Sequence, residues 1–241
     1  MIMKLPMLAC VAAALWVAPV FGQEGEPEVK PGMQVRGLSF QLPAEIPEVY
    51  MHDAAAEPDT PGVRLEVKDY LNHEASAIQL KGTQIIFTKK PEGRSAKDPG
   101  EIVATLALAK PQRSIICMFV PGSGAEGAPP CRIFPIEDDT KEFPRGSLKV
   151  MNLSPLPVRI QLENQNFDFN VGEVKVITDP PVGANHSSGM QAFRMENNEW
   201  QRIAAGVWPH PGRVRVLQIL FLNPASGQIE LKGIRDISIS G

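Results

Sequence analysis

The chain has 241 residues, 24 Lys and Arg against 27 Asp and Glu, and a formal charge of −3. This mildly acidic balance disfavours nucleic acid, which needs basic side chains clustered on one face. Pro 23 and Gly 20, spread along the chain, exclude long helices and with them a parallel sheet crossed by helices.

Residues 1–22 read as a secretory signal peptide. A single charge at Lys4 precedes an almost wholly apolar run through Val20, and the small residues Val20 and Gly22 suit cleavage before Gln23. The run is about two-thirds of a spanning length, and no later apolar run reaches about 18 residues. No membrane span is therefore expected once the signal is removed. Cys10 lies inside the apolar run with Leu8 two positions before it, which fits a lipid-anchor motif poorly. The reading places the mature protein in the periplasm or outside the cell, as a bacterial export product.

Residues 23–32 form a polar leader (QEGEPEVKP through residue 31). Strand signals begin at Met33. Residues 62–68 alternate (V-R-L-E-V-K), the period of a strand with one buried face. Short strands follow at 77–80 and 84–88, then a charged loop at 89–100, then apolar strands at 101–109, 114–120 and 131–136. The two mature cysteines, Cys117 and Cys131, sit on the last two of these, joined by the turn-rich PGSGAEGAPP. An even count in an exported chain favours a disulfide between them, worth about 3 kcal/mol for a loop of this size. The alternative is a pair of buried free thiols.

Residues 137–145 (EDDTKEFPR) are short, charged and contain a proline, the composition of a domain boundary. Beyond them, strands are expected at 147–151, 158–162, 167–171 and 174–177, then at 190–195 and 200–204 about the turn ENNE, then at 213–222, 228–234 and 236–240. The expected fold is all-β: two tandem antiparallel β-sandwich domains of immunoglobulin-like type, at residues 33–138 and 139–241, with one larger sandwich as the alternative. Both halves open with an Arg-Gly dipeptide (Arg36-Gly37, Arg145-Gly146), too short to establish a repeat.

Catalytic patterns are missing. Gly122-Ser123-Gly124 lacks the spacing of a nucleophile elbow, and no phosphate or dinucleotide loop occurs. His52, His73, His186 and His210 have no metal-ligand spacing, although His186 and His210 fall in loops of the same half. No cofactor is expected. Glu137, Asp138, Asp139 and Glu142 cluster without a calcium-loop order and read as a solvated turn, with a weak cation site as the alternative. Trp200 and Trp208 read first as core, with a ligand platform for sugar rings as the alternative. Asn152-Leu-Ser154 and Asn185-His-Ser187 match the glycosylation pattern, which matters only in a host with an endoplasmic reticulum.

Several segments carry a resemblance: IICMFVPGSG, the run IEDDTKEFPRGSLKVMNLS, Val-Gly-Glu at 171–173, a Trp followed by a long strand, and Arg235-Asp236. Across about residues 114–236 they resemble a group of uncharacterised secreted bacterial proteins. The resemblance implies a β-rich exported chain and no known activity, so it assigns no functional residue. Pilus chaperones have two immunoglobulin-like domains in a similar length, but their basic anchoring pair has no counterpart here, and the likeness is one of architecture alone. The function expected is that of a non-enzymatic exported protein that binds another envelope or secreted protein, with strand-edge pairing as the mode. The first alternative is a carbohydrate- or ligand-binding module using Trp200 and Trp208. An unrecognised hydrolase would need His186 or His210 beside a buried carboxylate in a cleft.

Overall fold

A computed structural model describes residues 32–42, 44 and 46–237, all within the unit Pro31–Gly241; the signal peptide and most of the leader lie outside the described residues. The first half carries β1 (Met33–Ser39), β2 (Glu48–Asp53), β3 (Val63–Lys68), β4 (Ser76–Ile78), β5 (Gln84–Thr88), β6 (Ile102–Ala107), β7 (Ser114–Pro121) and β8 (Cys131–Glu137). The second carries β9 (Leu148–Asn152), β10 (Val158–Leu162), β11 (Gln165–Phe169), β12 (Val174–Ile177), β13 (Ser187–Glu196), β14 (Glu199–Pro209), β15 (Arg215–Leu222) and β16 (Ile229–Asp236). The chain is all-β with several sheets, and a short 3-10 turn at Gly93–Lys97 lies in the charged loop.

The two halves repeat one pairing scheme. β1 runs parallel to β7, which makes a hairpin with β8, and β4 pairs with β1. In the same way β9 runs parallel to β15, which makes a hairpin with β16, and β12 pairs with β9. The remaining strands line up as β3-β2-β5-β6 and as β11-β10-β13-β14. The parallel pairs correct the expectation of wholly antiparallel sheets. They arise because each half's first strand meets its seventh only after five intervening strands, and such a long crossover returns the chain in the same direction.

Among the described residues three hydrophobic cores separate the sheets. The first holds Val35, Val49, Met51, Leu65, Ile85, Phe87, Ile115, Cys117 and Phe119. The third holds Leu148, Val150, Val158, Ile160, Phe169, Ala192, Trp208 and Leu220. Between them a shared core joins Leu38, Ile116, Met118, Val120 and Ile136 of the first half to Met151, Leu217, Ile219, Phe221 and Ile234 of the second. Strands β7 and β15 are therefore covered on both faces. This is why their sequences, SIICMFV and RVLQILFL, are nearly continuous apolar runs rather than alternating ones.

Two arginines and two aspartates close one end of the shared core. Arg36 on β1 reaches Asp138 (Nε–Oδ2 2.9 Å, Nη2–Oδ1 2.6 Å) and Asp236 (Nη1–Oδ1 2.9 Å, Nη2–Oδ2 2.7 Å). Arg215 at the start of β15 reaches the same two carboxylates and donates to the Phe143 carbonyl at 2.8 Å. All four side chains are at most 5 % exposed. Asp138 is thus a buried joint between the halves, which corrects the solvated-turn reading of the acidic cluster. The sequence showed four acidic side chains and not the two arginines that fold onto one of them.

The halves differ in how their first strand is paired. Residues 37 and 38 of β1 also pair in parallel with 67 and 68 of β3, fusing the first half into one eight-stranded sheet. Gly37 makes this approach feasible, since a Cβ there would stand 2.5 Å from the Glu66 carbonyl oxygen. Superimposing Ile115 on Val216, which have matching partners in the neighbouring strands, places Val150 where the first half has Gly37. The second half accordingly keeps two separate four-stranded sheets.

Candidate functional site

The residues singled out in the sequence do not converge. Cys117 opposes Pro135 and Cys131 opposes Pro121 in the β7–β8 ladder. Four residues of strand separate them, about 13 Å at the usual rise, well beyond the span of a disulfide. Both are free, buried thiols, which corrects the expected bridge. Burial raises both thiol pKa values, Cys117 the more strongly, so neither is a ready nucleophile.

Trp208 lies in the third core, whereas Trp200 is half-buried with its ring 4.3 Å beneath the Arg159 guanidinium. Arg159 alternates with the core residues Val158 and Ile160, so it and Trp200 occupy the outer face. The cause is a bulge between Ala192 and Phe193 in the β13–β14 register, which switches the faces of β14 along its length. The two tryptophans do not form one platform. Arg159, anchored to Asp168 at 2.5 Å and 2.7 Å, covers the Trp200 ring face it stacks on.

His186 and His210 do meet, through a backbone bond from His210 N to His186 O of 3.0 Å. His210 Nδ1 accepts from Gly212 N at 2.9 Å, and among the described residues no carboxylate pairs with either ring. His52 is buried against Thr88 Oγ1 at 2.9 Å, and burial lowers its pKa. Among the described residues no group of three His, Cys, Asp or Glu is placed to hold a metal ion. In the acidic cluster Glu137 pairs with Lys110 at 2.6 Å and Asp139 accepts from Lys141 N at 2.7 Å, so its members are engaged separately. Asn152 is fully buried, its amide nitrogen donating to the carbonyls of Leu156, Phe169 and Asn170, while Asn185 is exposed.

A site absent from the sequence reading emerges at the seam of the second half. In the first half the outer strands β6 and β8 pack against each other, but their counterparts β14 and β16 barely touch. Between β14 and β16 lies a groove of about 530 Å³, lined by apolar side chains that include Ile203, Trp208 and Leu231 and by the polar Gln218 and Glu230. The small residues keep it open. Gly206 pairs with Met190, Ala204 lies opposite Ala192, and Gly233 opposes Gln218. In the superposition above, Gln218 stands where the first half has Cys117, and Gly233 where it has Pro135.

Gln218 is 8 % exposed, and its side-chain amide has no hydrogen-bond partner among the described residues. Its head lies where a Cβ at position 233 would stand 3.0 Å from Oε1, so it is uncovered only because residue 233 is glycine. Both flanking strands are sheet edges. Among the described residues β14 is paired on one side by β13 and β16 on one side by β15, so the opposite edges face the groove. The sequence signals were the run IAAGVW, too small to fill a core, and a glutamine inside RVLQILFL. No family model matches the chain, and no curated protein matches it.

Proposed function

We propose that the chain is an exported, non-enzymatic protein whose two halves are β-sandwiches, and that it binds another envelope or secreted protein as part of an assembly. The observation that carries this reading is the pair of long strand edges, β14 and β16, unpaired among the described residues, on either side of a groove that offers both apolar side chains and polar groups. Extended segments add to such edges through main-chain hydrogen bonds, and side-chain pockets supply selectivity. The periplasmic or extracellular location rests on the composition of residues 1–22. The titratable groups lend more support to binding than to hydrolysis: His52 shares a cleft with Asp53 and Glu57, but its Nε2 pairs with Thr88 Oγ1, and among the described residues no histidine is hydrogen-bonded to a carboxylate.

The test is affinity purification of the tagged protein from its host's envelope, repeated with Ala205→Pro and Gly206→Pro. One of these adjacent changes removes an outward-facing N–H of β14. A stoichiometric partner retained by the wild type and lost with one of the variants supports the reading. Equal capture by all three, or a wild type that comes through without a partner, contradicts it.

A further inference from the structure

We infer that the groove between β14 and β16 is the acceptor for an extended peptide segment with bulky apolar side chains at alternating positions, and that the Gln218 amide hydrogen-bonds its backbone. This deepens the binding role proposed above and rests on it.

The occupant's chemistry follows from what the groove lacks. Where the first half closes its seam, the second presents Ala204 and Gly233, so side-chain volume is missing between two sheets that otherwise share one core. A strand laid in the seam sends every second side chain inward. Its bulky groups would pack on Ile203, Ile229, Leu231 and the Trp208 ring, all of which line the groove. Gln218 provides the second, independent indication. The body of this side chain is packed in the core, and its amide head opens into the groove, where an arriving polar group can reach it. Among the described residues it has no hydrogen-bond partner, and it lines the groove. An amide both donates and accepts, which matches a peptide group rather than a purely apolar ligand. The flanking strand edges, unpaired among the described residues, point to the same class of occupant.

The experiment uses synthetic nonapeptides with valine, isoleucine or leucine at alternating positions and polar residues between, alongside peptides of the same composition in scrambled order. Binding to the purified protein is followed by fluorescence anisotropy. The alternating peptides should bind at least tenfold more tightly than the scrambled ones. Gln218→Leu should weaken them about tenfold, and Gly233→Val, which places a side chain in the groove, should abolish binding. Thermal melts verify that both variants are folded, and Ala204→Phe is a second groove-filling variant should Gly233→Val fail to fold. Equal binding of alternating and scrambled peptides, or unchanged binding by the folded groove variants, overturns the inference. So does binding of oligosaccharides that is lost in Trp208→Ala, or self-association that the groove variants abolish, because each assigns the groove to another occupant. If the envelope partner is still captured by Gln218→Leu and Gly233→Val, the assembly role stands and the groove assignment falls. If neither partner nor peptide is bound, both fall.

Discussion

Arg36 and Arg215 place their guanidinium groups between the same two carboxylates, at a depth where water contributes little. Burial works against the charge of Asp236, but hydrogen bonds and charge from Arg36 and Arg215 outweigh it and lower its pKa. A carboxylate with a lowered folded pKa contributes stability above its unfolded pKa, about 3.9, and loses it as pH falls through the folded value. Asp236→Asn should therefore cost about 3 kcal/mol at pH 7, measured by urea unfolding. Its deficit should shrink as the pH drops below about 4. Lys149 stands where Arg36 does in the other half, buried, with Nζ 2.8 Å from the Glu137 carbonyl oxygen and 4.9 Å from the Phe143 ring centre. Burial pushes its pKa down to about 8. Between that pH and about 10.4 the unfolded chain still holds a proton that the folded chain has lost, so stability gains as pH rises. Lys149→Met should be more stable than wild type at pH 7, and the advantage should narrow by pH 10. Cys117 and Cys131 should resist iodoacetamide in the folded protein, and both should react after unfolding without reductant, which mass spectrometry reads directly.

At the scale of elements, alternation and turn chemistry made most strands legible. The β10, β12 and β5 ranges follow from their residues, and VRLEVK marks β3 to within one position. β2 (EVYMHD) escaped because it buries Met51, His52 and Asp53 in succession, a polar pair in a strand that lacks simple alternation. The boundaries of β13 and β14 fell short because they form a long hairpin whose bulge breaks the period at Ala192. Register was not legible at all. Cysteines on neighbouring strands looked like a bridge, and only the ladder places them four residues out of line. The shared core tests the doubly covered strands. Ile219→Ala on β15 removes fully buried volume and should cost about 2–5 kcal/mol by chemical denaturation. Val207→Ala, on the same half at a side chain 64 % exposed, should change stability by less than about 0.5 kcal/mol.

At the scale of the molecule, an eight-strand plan is used twice and joined through equivalent faces. The repeat was invisible in the sequence because it lives in strand pairing and burial side, not in identities. Arg36 matches Lys149, and Gly37 matches Val150, while the similar Arg-Gly dipeptides do not correspond. The groove was equally hidden, since it is a difference between two seams and becomes visible only when one half is compared with the other. A shared core and a buried four-residue charge network couple the halves, so chemical unfolding should be a single transition with fluorescence and circular dichroism coinciding. Two separated transitions would show that the halves are energetically independent. The claim that the second half binds through its open seam is tested most directly by hydrogen–deuterium exchange of the protein alone and saturated with its captured envelope partner. The account predicts new protection concentrated in β14 and β16. Protection confined to other strands, or unchanged exchange along both edges, would contradict it.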